Sequence, residues 1–175
     1  MTEKSSTEPH RRPSSEPADP AGIEAVRSLV EGVARCLGID EQVVAEQRAE
    51  ELHVAVQGKD LGLLIGRHGQ TLEALQHLAQ RISLDNELNV RVIVDAEGYR
   101  ERRREAIEAQ VHRLTARALQ RSEPCALEPM TSSERRYVHE MVRDLEGVES
   151  YSEGVEPERH AVIAPEGTAP PGASQ

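Results

Sequence analysis

The sequence predicts an α+β fold built as two small units. Three observations carry that expectation. Apolar residues switch along the chain between helical spacing and strict alternation, a glycine-bracketed break interrupts a helical pattern in the first unit, and a capping pattern beyond Pro124 opens a second set of helix and strands. Seven of the ten prolines fall within residues 1–20 and 165–175, among Ser, Gly and acidic residues. Both ends are therefore expected to be disordered tails.

Element by element, Ile23, Val26, Leu29, Val30, Val33 and Leu37 follow helical spacing, and Gly38 supplies a left-handed stop. Val43-Val44 begins a first strand. Leu52, Val54 and Val56 then alternate with polar or small neighbours, the period of a half-buried strand. Asp60 is placed to cap a single helical turn, Leu61–Ile65, and a second helix with Leu72, Leu75, Leu78, Ala79 and Ile82 on one face follows. Val90, Val92 and Val94 alternate as a third strand. A long charged helix is expected from Tyr99 to Arg121, its partial apolar face made of Ile107, Val111, Leu114 and Leu119.

In the second unit, Thr131 with Glu134 forms a capping-box pattern that opens a helix ending near Gly147. Val148–Tyr151 and His160–Ala164 read as short strands joined through the Gly154/Pro157 turn, with a further short strand near Ala126–Glu128. The division is thus a tail at 1–20, a first domain at 21–97, a connecting helix at 98–122 that packs with the second domain, that domain at 123–164, and a tail at 165–175.

Composition narrows the function. The chain has no Phe or Trp and only three Tyr, which argues against an aromatic platform for base stacking. No apolar run reaches the ~18 residues of a spanning helix, and the N-terminus lacks the apolar centre of a signal peptide. A cytoplasmic protein without membrane insertion is expected. Cys36 and Cys125 have no CxxC partners and read as buried reduced thiols. The net charge is -10, but unevenly spread: residues 1–58 carry 6 basic against 11 acidic side chains, 59–104 carry 8 against 7, and 105–175 carry 7 against 13. Only the middle is not acidic. Screening acts over ~8 Å at physiological salt, so a local site for an anion survives the global charge.

That middle segment holds "LLIGRHGQTLEALQ". Helix N-termini carry unpaired N–H groups and partial positive charge, and glycines placed before them let a polyanion approach the backbone. Gly66 and Gly69 provide the approach, Arg67 a phosphate partner, and His68 a hydrogen-bond donor. The bland reading is a helix–turn–helix connector. The order helix-strand-strand-helix-loop-helix-strand around the loop resembles the type II KH arrangement (αββααβ), in which a GxxG loop clamps a single-stranded nucleic-acid backbone. Other phosphate motifs are missing: there is no GxxxxGK[ST] and no GxGxxG after a strand. No carboxylate pair, nucleophile–base set or metal cluster shows recognisable spacing. The expectation is therefore no catalytic residue, no metal and no cofactor, and Asp95-Ala96-Glu97 reads as a solvated strand-to-helix turn.

On the helix "SSERRYVHEMVRDL", at about 100° per residue, Val138, Met141, Val142 and Leu145 form the core stripe. Arg135, His139, Arg143 and Arg136 form one flank beside it, with Arg135 and His139 stacked at i,i+4. That flank suits a phosphate, although a solvated face explains it equally well on spacing alone.

Four segments in this order, "LIGRHGQTLEALQ", "VIVDAEGYRERR", "PMTSSERRYVHEMV" and "VESYSEGVEPERHAVI", resemble the bacterial Jag/KhpB family (the SpoIIIJ-associated type) over about Ile23 to Ala164. The resemblance implies a type II KH domain followed by a small α/β R-x-x-x-H domain with a short antiparallel sheet. It implies a cytoplasmic, non-catalytic binder of single-stranded RNA, with single-stranded DNA as the alternative ligand. It further implies a post-transcriptional regulator or RNA chaperone linked to cell elongation and division, and a small KhpA-type single-KH partner. Gly66, Arg67, His68 and Gly69 become the backbone clamp. Arg135 and His139 become the signature pair of the second domain, flanked by Arg136 and Arg143. His68 stands where many members carry a basic residue, and the N-terminal Jag domain of many members is expected to be absent. The rival expectation is a protein-interaction or ribosome-docking module that uses the KH surface.

Overall fold

A computed structural model describes residues 19–170. Most of the expected tails, 1–18 and 171–175, lies outside the described residues. Helix α1 spans Pro20–Cys36: the Asp19 carboxylate accepts from the Ala21 N–H at 3.1 Å, and Pro20 occupies the first turn, where no amide donor is required. Its inner face is Gly22, Val26, Val30 and Ala34. Gly22 lies so close to Leu88 that a Cβ would meet that side chain at 2.7 Å. Cys36 is exposed, contrary to expectation, because it lies about 200° round the helix from Ala34. Gly38 takes the positive φ expected of the stop.

Strands β1 (Glu41–Arg48) and β2 (Glu51–Gly58) pair antiparallel, with Val43 opposite Val56 and Ala45 opposite Val54. The helical turn α2 (Gly62–Ile65), a single 3-10 turn (Arg67–Gly69) and helix α3 (Gln70–Asp85) carry the chain over to β3 (Arg91–Ala96), which runs parallel to β2. The sheet order is β1-β2-β3. This is the αββααβ order expected, one strand pair antiparallel and one parallel. Leu52, Val54 and Val56 face Leu64, Leu72, Leu75, Ala79 and the inner face of α1 in one core. Each such apolar side chain contributes ~1.5–3 kcal/mol on burial. Leu78, expected on the buried face of α3, is 55% exposed.

The outer edge of β3 has no neighbouring strand, so its amides need other partners. Glutamines of α3 supply them: Gln80 accepts from the Val92 N–H at 2.8 Å and donates to the Val90 carbonyl at 3.0 Å, and Gln76 accepts from the Val94 N–H at 3.2 Å. Asp95 then turns the chain into helix α4 (Tyr99–Arg121) by accepting from the Gly98 and Arg100 amides at 2.6 and 3.1 Å.

Helix α4 spans both halves. Tyr99 packs on the first core, whereas Ile107, Val111, Leu114 and Ala118 belong to a second. Ala118, not the expected Leu119, completes that face; Leu119 is half exposed. The second core is closed by helix α5 (Ser132–Arg143) and a sheet of β4 (Cys125–Ala126), β5 (Val148–Glu153) and β6 (His160–Pro165) in the order β4-β6-β5, all antiparallel. The Thr131 capping box is present: Thr131 Oγ1 accepts from the Glu134 N–H, and Glu134 Oε2 accepts from the Thr131 N–H at 2.9 Å. The helix stops at Arg143, earlier than expected, and a turn through Asp144 leads to Gly147, whose φ is +79°. Order also extends beyond residue 164. Pro165 closes β6, and Glu149 accepts from the Thr168 and Ala169 amides.

Candidate nucleic-acid interface

The glycine loop is a backbone device. Gly66 has φ 72° and ψ -177°, and Gly69 has φ 80° and ψ 6°, both outside the range comfortable for a residue with a Cβ. Space forbids a side chain as well. A Cβ on Gly66 would lie 2.0 Å from Thr71 Oγ1 and 2.9 Å from the Thr71 backbone nitrogen, and one on Gly69 would lie 2.9 Å from Tyr99 Cε1. His68 takes the left-handed conformation without that freedom, at φ 52° and ψ 28°. The expected cap at Asp60 is not made. Asp60 has φ 57°, and Leu61 stands at the start of α2 with no side-chain cap bond.

Arg67, the cation of the loop, is 64% exposed and forms an ion pair with Glu158 of the second unit, both guanidinium Nη atoms donating to the carboxylate. Gln70 Nε2 donates to the Pro157 carbonyl at 3.1 Å, and Ser133 Oγ donates to Glu73 at 2.8 Å. The loop thus faces the second unit. Between them His68, Gly69, Leu72, Tyr99, Ile107 and Tyr137 help line a cavity of about 280 Å³.

The second site is a side-chain device. Arg135 is buried, its side chain 9% exposed; Nη1 donates to the Met130 carbonyl at 2.9 Å and Nη2 pairs with Glu156 at 2.7 Å. His139 is held between two serines of β5, Nδ1 at 2.7 Å from Ser150 Oγ and Nε2 at 2.9 Å from Ser152 Oγ. Burial, and then the positive charges of Arg135, Arg143 and Arg159, push its imidazole below the ordinary histidine pKa. The flank therefore owes its charge to arginines, with His139 a neutral hydrogen-bonding element. Arg136 is exposed and pairs with Glu140 at 3.1 Å on the same helix.

Arg135, Arg136, His139, Arg143, Ser152 and Arg159 line a cleft of about 460 Å³. Arg159 was not legible on the helix, because it arrives from the start of β6. Its Nε is buried with no hydrogen-bond partner among the described residues. Among those residues no group of three or more His, Cys, Asp or Glu side chains is arranged to hold a metal ion, and no helix is long and apolar enough to cross a membrane.

Comparison with known proteins matches both halves. Residues 23–94 match the KhpA/KhpB KH domain, and residues 105–165 match the R-x-x-x-H domain, the arginine–histidine signature family. RNA-binding protein KhpB of Bacillus subtilis is 31% identical over 146 residues, covering 81% of this chain and 70% of that protein. The chain belongs to the KhpB family. RNA-binding protein KhpB of Clostridium symbiosum is 34% identical over 129 residues, covering 73% of this chain and 58% of the relative. The Streptococcus pneumoniae KhpB is 28% identical over 139 residues, covering 79% and 42%. The chain thus spans about half the length of these last two relatives. Within the family framework, the loop residues Gly66 to Gly69 fall in the KH match, and Arg135, Arg136, His139 and Arg143 fall in the R-x-x-x-H match. The structure brings each set together locally and joins them through one turn of β5–β6.

Proposed function

We propose that this protein binds single-stranded RNA by its phosphates, at the Gly66–Gly69 loop and at the cleft of Arg135, Arg136, Arg143 and Arg159. The observation that carries the reading is the loop itself. Two glycines with no room for a Cβ leave backbone amides bare at the start of α3, beside an exposed arginine. The printed names of the relatives, all RNA-binding proteins, support the ligand class.

The protein acts by binding rather than catalysis, in the cytoplasm, as a post-transcriptional regulator or RNA chaperone that serves cell elongation and division, with a KhpA-type single-KH protein as partner. Phosphate contacts without an aromatic platform make recognition tolerant of sequence. Fluorescence anisotropy with a short single-stranded RNA tests the reading. Arg67→Asp with His68→Asp abolishes binding while the circular dichroism spectrum stays unchanged. Undiminished affinity would move the KH surface to protein or ribosome docking instead.

A further inference from the structure

One turn of the chain touches both sites. Between β5 and β6 the segment "GVEPER" carries Glu156 to Arg135 at 2.7 Å and Glu158 to Arg67, while the Pro157 carbonyl accepts from Gln70. At Arg67, two guanidinium nitrogens face two carboxylate oxygens. A phosphate makes the same fork-to-fork arrangement. Residues two apart in an extended chain have Cα atoms within about 7 Å, comparable with the spacing of neighbouring phosphates along a single strand.

We propose that Arg67 and Arg135 form one bipartite phosphate site across the junction of the two domains, occupied in the free protein by Glu158 and Glu156. The two carboxylates stand in for phosphates of a single strand, which displaces them on binding. The inference rests on the RNA-binding reading and adds to it the continuity of the site and a built-in competitor.

The energetics permit the exchange. Arg67 and Glu158 are 64% and 52% exposed, and exposed pairs of this kind shift an equilibrium by no more than about fivefold. Glu156 is 57% exposed and free to swing into water, whereas Arg135 stays anchored by the Met130 carbonyl. Pro157 between the two acids fixes its own φ and presents them as a pair. The turn thus weakens unspecific attachment without closing the site. An anion with one charge displaces one carboxylate; a strand displaces both at once.

The test compares three full-length proteins on one short single-stranded RNA at low salt: the natural sequence, Glu156→Gln with Glu158→Gln, and Glu24→Gln with Glu31→Gln. The last makes the same change in net charge on α1, where both acids pair with Arg27. The turn variant is expected to bind about three- to tenfold tighter than the natural protein, and the α1 variant less than about twofold tighter. Glu158→Gln alone, which alters only an exposed pair, gives part of the gain and guards against a folding defect in the double variant. Equal gains from the turn and α1 variants, or no gain from the turn, would overturn the proposal while leaving RNA binding intact. Absence of binding by all three would overturn the RNA reading, and the turn's role with it.

Discussion

In the KH domain the candidate site is made of backbone: two glycines, a strained histidine and one exposed arginine whose removal leaves the core untouched. In the second domain it is made of side chains, with a buried arginine, a histidine pinned by two serines, and Arg159 delivered from a strand rather than the helix. The difference lies in what each site costs the fold. A glycine loop holds its shape through φ and packing, so its cation is dispensable for folding. The arginine cleft buries charge, so its signature residue is structural as well as functional. Phosphate affinity and stability are separable in the first domain and entangled in the second.

The sharpest way to break this contrast is Arg135→Ala. It removes the bond to the Met130 carbonyl, the pair with Glu156 and the packing of a buried stem. The second domain is expected to lose about 2–3 kcal/mol in a urea melt. Gly66→Ala comes next, at about 2 kcal/mol, because a Cβ at φ 72° would strike Thr71. That loss should register on the KH domain and abolish binding there.

A smaller effect separates the domains by pH. The folded-state pKa of His139 lies below its unfolded value, so the unfolded chain binds more protons at mildly acidic pH. Stability from this group is complete above the unfolded pKa of about 6.5 and declines as pH falls below it. The melting temperature of the second domain should drop between neutral and mildly acidic pH, and His139→Gln should flatten that dependence. The smallest effect on stability is that of Arg67→Ala, below about 0.5 kcal/mol because both partners of its ion pair are exposed. A melt as perturbed as that of Arg135→Ala would erase the contrast.

Most of the fold was legible because it is local. Alternation at Leu52, Val54 and Val56, the 3.6 period of α1 and the Thr131 capping box all act within one or two turns of chain. The errors fall where a residue's fate depends on distant chain. Asp60 looked like a cap until its own left-handed φ removed it from that position. The wheel placed Arg135 on a polar flank, yet Met130 and Glu156 draw it into the protein. Arg159 joins the cleft through the β5–β6 register, in which Ser152 lies opposite Ala161, and no spacing on α5 reveals it. The glycines were readable because the need for φ > 0 is written in the residue type itself.

Salt dependence tests the central claim most directly, because binding to phosphates releases counterions. The affinity for one single-stranded RNA should be measured against salt concentration for the natural protein, for Arg67→Gln, and for Arg136→Gln with Arg143→Gln, residues that leave Arg135 in place. The slope of log affinity against log salt is expected to shrink by ~0.7 for each phosphate that a variant no longer neutralises, in both variants. Slopes identical to that of the natural protein would show that neither the loop nor the cleft touches the backbone of the strand.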